Sequence, residues 1–264
     1  MAGTTVNLQH RTLECIEIAK QISATPLLRF RGVEQSKRDS VSEFHELQQF
    51  SRRVGKQEFR TILDVGANIG DTTRMFRRLW PQSHVHALEP VQSTFDRLRQ
   101  EFVDDPQVSC YRLALGDKAG PARILATPLK KMNHILSAQD EVQGPVEDIE
   151  IETGARFCAL HGIESIDFLK IDAEGFDLHV CQGFEPLLGE ERIASLQVET
   201  TLQLRHQRLV PLPEFVRYLH PLGYRVFKAH AQIVAGKPIA KRCNVVFVSG
   251  KLIRQNTTRE PAAG

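Results

Sequence analysis

No apolar run in the 264 residues approaches the ~20 that a membrane-spanning helix needs. The N-terminus, M-A-G-T-T-V-N-L-Q-H-R, lacks the basic-then-apolar layout of a secretion signal. Neither charge is in excess: 34 Lys+Arg stand against 32 Asp+Glu, a net charge of +2. That argues against a protein that grips nucleic acid through a dominant basic surface. Cysteine is scarce and scattered, at Cys15, Cys110, Cys158, Cys181 and Cys243, odd in number and without a C-x-x-C pair. Free thiols in a reducing, cytoplasmic setting fit this better than a disulfide framework or a zinc site. Internal repeats and low-complexity tracts are missing, and so is any His/Asp cluster with metal-ligand spacing, which disfavours a metal-dependent hydrolase. The Asn-Thr-Thr sequon at Asn256 carries no weight without a signal peptide. What is present, 41 % hydrophobic and 25 % charged residues, is ordinary for a globular chain long enough to bury a core without staples.

Three segments are expected. Residues 1–60 read as an N-terminal helical extension, with Leu13, Ile16, Ala19 and Ile22 at helical spacing and ten Lys/Arg against seven Asp/Glu. This amphipathic stretch is a candidate homodimer contact. Residues 61–250 form the main domain, and 251–264 a polar, flexible tail. Within the domain, strands are expected at Thr61–Val65, His84–Leu88, Val108–Leu113, Phe168–Ile171, Ser195–Val198, Tyr224–Ala229 and Asn244–Val248, with a short extra one at Ala122–Ala126. Helices are expected at Asp71–Leu79, Thr94–Phe102, Leu178–Leu188 and Pro213–His220. Short apolar strands alternating with helices predict an α/β fold with a parallel sheet covered on both faces. No clear helix lies between the last two strands, only a Gly/Pro-containing stretch, A-G-K-P, so these should pair antiparallel as a long hairpin.

The first strand runs into D-V-G-A-N-I-G-D, residues 64–71. Gly66 and Gly70 flank a turn that opens a helix, where free N–H groups and close backbone approach favour a ligand. The spacing is G-x-x-x-G rather than the G-x-G-x-x-G of dinucleotide enzymes, which disfavours a nicotinamide-dependent oxidoreductase. Carboxylates at Asp64 and Asp71 suit a cationic ligand better than a phosphate, and S-adenosylmethionine, a sulfonium without phosphate, meets that description. Glu89, in L-E-P, ends the second strand 23 residues after Gly66, the place of an acid that accepts from ribose hydroxyls. A-L-G-D, residues 114–117, reads as the end of the third strand, beside an adenine ring. In I-D-F-L-K-I-D-A-E-G, residues 166–175, Lys170, Asp172 and Glu174 are charges at the end of a buried strand. They form either a structural ion pair or a functional rim, which Glu199 of Q-V-E-T would join. Asp172, Glu174 and Glu199 could hold an acceptor by hydrogen bonds; a divalent metal is the less expected alternative.

In order and spacing, D-V-G-A-N-I-G-D, L-E-P, A-L-G-D, I-D-F-L-K-I-D-A-E-G, V-E-T and L-G-Y-R-V-F resemble the FkbM family of methyltransferases over roughly residues 60–250. The resemblance implies a Rossmann-like class I methyltransferase fold: a seven-stranded, mostly parallel sheet with one antiparallel strand, helices on both faces and extra N-terminal helices. It implies S-adenosylmethionine as cofactor, contacted by Asp64, Gly66, Asn68, Gly70 and Glu89, with Asp117 at the adenine side and Asp172 at the methionine side. It implies O-methylation of a hydroxyl on a sugar, glycan or natural product. Two departures stand out: Val91-Gln92-Ser93 replaces a second proline after Glu89-Pro90, and I-E-T-G-A-R-F, residues 151–157, replaces a T-L-D block whose carboxylate only Glu150 or Glu152 could supply. Catalysis would consist of positioning plus a base that removes the hydroxyl proton. His134, His206 and Asp172 are the candidates, and Lys130 and Lys131 beside His134 would suit an anionic acceptor. A non-catalytic cofactor-binding or interaction protein on the same fold is the alternative.

Overall fold

The structure, a computed structural model, describes residues 39–55, 58–127, 133–136, 144–203, 206, 208–232 and 242–257. In chain order the elements begin with α1 (Asp39–Arg53), β1 (Thr61–Val65), α2 (Asp71–Leu79), β2 (His84–Leu88), α3 (Gln92–Glu101) and β3 (Val108–Tyr111). Next come β4 (Ala114–Gly116), β5 (Gly120–Leu125), β6 (Val146–Thr153), α4 (Gly154–Leu160), β7 (Phe168–Ile171), α5 (Asp177–Gly183) and α6 (Glu185–Gly189). The chain closes with β8 (Ser195–Thr200), α7 (Leu212–Leu219), β9 (Tyr224–Gln232), β10 (Arg242–Ser249) and α8 (Gly250–Thr257).

Seven strands form one sheet in the order β3-β2-β1-β7-β8-β10-β9. Every pairing from β3 to β8 is parallel, and β10 runs antiparallel to both β8 and β9. The expected single reversed strand is thus β10, and the fold is the Rossmann-like class I methyltransferase arrangement. Strands buried on both faces explain the near-continuous apolar runs T-I-L-D-V and F-L-K-I. Helices α4 to α7 pack on one face, against Leu63, Leu169 and Leu196. Helices α1, α2 and α8 cover the other, around an aromatic cluster of Phe50, Phe59, Phe76, Trp80 and Phe168 with ring centroids 4.5–6.2 Å apart. Helix α2 starts at Gly70, carries Asp71 in its first turn and Arg77 and Arg78 in its last, and stops just before Pro81. Each of these suits the helix dipole or the steric limit set by proline.

Four features depart from the sequence reading. Leu113 leaves the main sheet, and Ala114–Gly116 is not the end of β3 but a separate strand of a three-stranded sheet ordered β4-β6-β5. Strand β6 was not expected, although Ile149 and Ile151 alternate with acids at period two within V-E-D-I-E-I-E-T. The expected helix Leu178–Leu188 is two, α5 and α6, because Gly183 packs directly on the Gly116 carbonyl and Pro186, near the start of α6, offers no N–H to continue the ladder. The expected tail from 251 begins instead as α8, whose Leu252 is buried in the aromatic-rich core. The apolar positions Leu13 to Ile22 lie outside the described residues. None of the helices described is long and apolar enough to cross a membrane.

Trp80 is the chain's only tryptophan and touches Phe59, Phe76 and Phe168. Phe168→Ala should therefore lower unfolding stability by about 3–5 kcal/mol. Urea titration followed by Trp80 emission reads this directly; a loss under about 1 kcal/mol would mean that the cluster does not carry this half of the core.

Candidate active site

The parallel strands bring the loops after β1, β2 and β7 to one rim. Gly66 and Gly70 adopt φ of 78° and 91°, and Asn68 a φ of 54°, so the turn after β1 winds through left-handed backbone that glycine and asparagine tolerate. A side chain at Gly66 would collide with the Asp172 carbonyl, and one at Gly70 with Phe102. The first glycine lets the β1 and β7 loops touch; the second lets α3 close on α2.

Glu89 sits at the tip of β2. Its Oε2 accepts from the Asn68 N–H at 3.1 Å and its Oε1 from the Val91 N–H at 3.0 Å. Each oxygen has a lone pair beyond these bonds, and Glu89 lines a cleft whose space, open mouth included, is about 580 Å³. Its polar lining is Glu89, Asp172, Glu174, Asn133 and His134, and its apolar lining Val65, Leu113, Ala114, Leu115, Ile124 and Ile135. The small sheet supplies Ala114, Leu115 and Ile124, and residues 134–136 are held against it by hydrogen bonds to Arg123 and Leu125 and a bridge from Ile135 to Ile124. Asn133 Oδ1 anchors that segment by accepting from Thr127 N–H at 2.8 Å and Thr127 Oγ1 at 3.1 Å.

Asp172 and Glu174 hang from the loop between β7 and α5. Asp177, fully buried in the first turn of α5, holds that loop. Its Oδ2 accepts from Gly175 N–H at 3.1 Å and Ala173 N–H at 3.3 Å, and its Oδ1 from Glu199 N–H at 3.3 Å. Glu174 has a φ of 50°, strained for a non-glycine residue, as is common at functional sites. Beneath the rim, Lys170 Nζ lies 3.2 Å from Asp172 Oδ2 and 3.7 Å from Asp64 Oδ1. Arg242, from β10, donates to both oxygens of Glu199 at 2.9 Å and lies 3.5 Å from Glu174.

Burial sets the protonation. It pushes Glu89, Glu174 and Asp177 each up to about 7, against backbone hydrogen bonds to Glu89 and Asp177 and the Arg242 charge beside Glu174. Glu199 is raised by burial and by Asp172, against Arg242. Asp64 is raised by burial despite Lys170 and Thr73.

The candidate residues separate accordingly. Gly66, Glu89, Asp172, Glu174 and His134 line the cleft. Asn68 serves through its backbone N–H to Glu89, and Gly70 through packing. Asp64 does not reach the cleft: at 0 % exposure it accepts from Thr73 Oγ1 at 2.7 Å and faces Lys170, tying β1 to α2 and β7. Asp117, one residue past β4, does not line the cleft and pairs with His179 at 3.2 Å. His206 is a turn residue, its Nδ1 accepting from Arg208 and Leu209 N–H. Glu199 is held by Arg242 and does not line the cleft. Glu150 is exposed on β6, and Glu152 pairs with Arg156 at 3.3 Å, so neither replaces the missing rim carboxylate. Lys130 and Lys131 lie outside the described residues. Among the described residues no three His, Cys, Asp or Glu side chains gather as a metal set. Sequence reading missed Asp177 and Arg242. The first had a signal, an acid in the opening turn of a helix right after a glycine loop; the second, alone at a strand start, had none.

Residues 64–226, well over half of the chain, match the family described as the Methyltransferase FkbM domain. Among curated proteins, the chain is 25 % identical over 146 residues to the 2-O-methyltransferase NoeI of Sinorhizobium fredii, covering 50 % of this chain and 60 % of NoeI. It is 24 % identical over 144 residues to Methyltransferase 1 of Beauveria bassiana, covering 47 % and 58 %. The chain thus spans about three-fifths of the length of the curated relatives it matches. Among solved structures, the O-methyltransferase TomG from Streptomyces achromogenes, in complex with SAM, aligns with a TM-score of 0.45 at 13 % identity, covering 83 % of this chain and 82 % of that one.

Asp177 offers a direct test of the buried rim. Its folded value near 7 lies above its ordinary 3.8, so the folded state binds the extra proton between those limits. The stability this contributes is present below the ordinary carboxylate range and is lost as pH rises through about 7, at about 1.4 kcal/mol per unit of raised pKa. His86, lowered to about 4 by burial and by His84 and His161, acts in the opposite direction, so the comparison is between variants. Asp177→Asn should be less stable than the parent at pH 5.5 and close that gap by pH 8 in thermal melts. A gap that does not change with pH would mean that Asp177 is ionised throughout.

Proposed function

The chain belongs to the FkbM methyltransferase family, and from that premise we propose an S-adenosylmethionine-dependent methyltransferase acting on a hydroxyl oxygen of a small-molecule or glycan acceptor. The observation that carries the reading is Glu89, a buried carboxylate that lines the cleft and is pinned by two backbone N–H groups. The donor set fits this cofactor. Glu89 suits a ribose diol, the apolar lining of Leu113, Leu115, Ile124 and Ile135 suits a flat base, and the carboxylates Asp172 and Glu174 suit an ammonium and a sulfonium. When bound, S-adenosylmethionine supplies an electrophilic methyl group.

The chain's own residues do the rest. Glu89 holds and orients. The apolar lining excludes water, which strengthens every polar contact inside. Asp172, with 41 % of its side chain exposed and Lys170 behind it, presents an oriented carboxylate at the rim. His134, on the segment that caps the cleft, takes the proton of the acceptor hydroxyl, since imidazole changes charge near neutral pH. NoeI, a 2-O-methyltransferase by name, supports oxygen as the atom methylated. The absence of charge excess favours a small acceptor over nucleic acid.

Calorimetric titration tests the cofactor. S-adenosylmethionine should bind and NADH should not. Glu89→Gln should weaken binding on the order of 10- to 100-fold, the loss of charge-assisted hydrogen bonds worth about 1.5–3 kcal/mol. Because free Glu89 titrates near 7 and the bound form needs the carboxylate, affinity should tighten from pH 6 to 8, with proton release seen as a buffer-dependent enthalpy. Equal affinity in parent and variant, or no pH dependence, would remove Glu89 from the site.

The acceptor step has its own test. His134→Asn should cut formation of S-adenosylhomocysteine on a hydroxylated acceptor at least 100-fold while changing cofactor affinity less than threefold. Equal losses in both would make His134 a cofactor contact instead. A chain that retains the cofactor without ever transferring its methyl group would be the non-catalytic alternative.

A further inference from the structure

Because β10 runs against the parallel strands, its first residue, Arg242, lies at the rim where β1, β7 and β8 end. Asn244 stands opposite Glu199, and Arg242, two residues earlier on β10, shares that face. The Arg242 side chain therefore reaches Glu199 on the diagonal, and its Nη1 donates to both carboxylate oxygens at 2.9 Å. Its Nη2 lies 3.5 Å from Oε2 of Glu174, which lines the cleft. A guanidinium is a rigid, planar fork, so fixing one nitrogen sets the direction of the other. Glu199 is itself held, since it is buried and its N–H donates to Asp177. A chain of contacts thus runs from Asp177 through Glu199 and Arg242 to Glu174.

Glu174 is boxed in on its other sides. Asp177 Oδ2 accepts from the N–H groups of both its neighbours, Ala173 and Gly175. Any side chain at Gly175 would meet the Arg208 carbonyl at 2.4 Å, so the segment after β8 closes directly on this loop. Glu174 takes its left-handed φ of 50° inside that enclosure. An ion pair that served only the sheet would need Arg242 and Glu199 alone. Extending it to a strained acid in the cleft lining adds nothing to the sheet and fixes a side chain at the site.

The charged groups around Glu174 come from five elements besides its own loop. They are Lys170 of β7, Asp177 of α5, Glu199 of β8, Arg208 after β8 and Arg242 of β10, with Asp172 beside it in the loop. Burial is the largest influence and raises Glu174 to about 7; Arg242 comes next and lowers it, Asp172 and Glu199 raise it, and Arg208 lowers it. Arg242 is therefore the strongest influence in favour of the carboxylate. Without it Glu174 would keep its proton at neutral pH and offer no charge to a cationic ligand.

We propose that Arg242 is a positioning residue for cofactor binding: anchored on Glu199, it fixes the Glu174 side chain in the cleft as a contact for the cationic end of S-adenosylmethionine. This rests on the methyltransferase reading of the cleft and adds the residue that prepares its acidic end. Deleting a cation beside a cationic ligand would by itself tighten binding, whereas losing a positioning residue loosens it, so the sign of the effect separates the two.

The test uses the full chain and two ligands in calorimetry. One is S-adenosylmethionine; the other is 5′-methylthioadenosine, which keeps the adenosine and the sulfur but lacks the amino acid and the sulfonium charge. Arg242→Gln should weaken S-adenosylmethionine binding about tenfold or more at pH 7 while methylthioadenosine stays within about twofold. Read as a ratio to the parent, which cancels the titration of Glu89, the deficit should shrink to about threefold or less at pH 9, where Glu174 ionises unaided. Glu174→Gln should lose as much at pH 7, and the double variant no more than either single one. Carbon-13 NMR of the glutamate carboxyls reads the same contact without ligand, the Glu174 signal being the one missing in Glu174→Gln. Its midpoint of about 7 should rise by about one pH unit or more in Arg242→Gln. If that variant does not fold, Arg242→Lys, whose point charge cannot span both acids, should weaken S-adenosylmethionine binding about threefold or more and move the midpoint in the same direction. Unchanged or tighter S-adenosylmethionine binding, equal losses for both ligands, additive losses in the double variant or an unmoved midpoint would each overturn the proposal. A midpoint that moves in a protein that binds no S-adenosylmethionine would support the hold of Arg242 on Glu174 and overturn the cofactor reading of the cleft instead.

Discussion

The buried carboxylate of Asp177 is the constraint on which the rim depends. Its two oxygens collect N–H groups from Ala173, Gly175 and Glu199, so one side chain joins the loop after β7 to the end of β8. A fully buried carboxyl is expensive unless its hydrogen-bonding capacity is used, and here three donors use it. Asp172 and Glu174 ride on that loop. Gly66 brings the loop after β1 against the same stretch, where any side chain would collide with the Asp172 carbonyl. The cleft therefore inherits its shape from two close backbone approaches, one permitted by a glycine and one enforced by a carboxylate.

Around that hinge point the structure separates functions by layer. The lower half of the α1-covered face is aromatic and carries stability through Phe168 and its neighbours. The upper half is polar, and two of its cations are each shared between carboxylates: Lys170 by Asp64 and Asp172, Arg242 by Glu174 and Glu199. Burial alone would lower Arg242, yet its acidic partners hold it above its ordinary value. The small sheet stands outside this arrangement and supplies much of the apolar lining of the cleft. Negative charge and hydrocarbon in one lining make a site for a ligand with a cationic end and a flat apolar end.

Much of this was legible in the sequence wherever a property is local. Thr61–Val65, His84–Leu88 and Phe168–Ile171 are apolar runs bounded by turn residues, and the strands fall where they were read. Glu89 could be read because distance along a βαβ unit fixes which strand tip it occupies. His134 could be named as a candidate but not chosen over His206, since both are histidines in loops. Only the pairing of 134–136 with β5 turns one toward the cleft, while a turn consumes the other. Asp64 and Asp117 lie outside the cleft lining for a related reason. Each stands beside a ligand motif in sequence, but strand alternation buries the first against Lys170, and the second, just past β4, pairs with His179.

The sequence by itself determined the strands of the main sheet, the left-handed turn at Gly66 and Gly70, and the acid at the end of β2, because these follow from periodicity, backbone sterics and spacing within one βαβ unit. Only the tertiary structure decided that Arg242 meets Glu199, that Glu46 reaches Lys228 and His230, and that β4, β5 and β6 wall the cleft. Those contacts join residues 21 to 184 positions apart, and their geometry depends on sheet register and on helices packing over it, quantities to which every strand contributes and which no local stretch encodes.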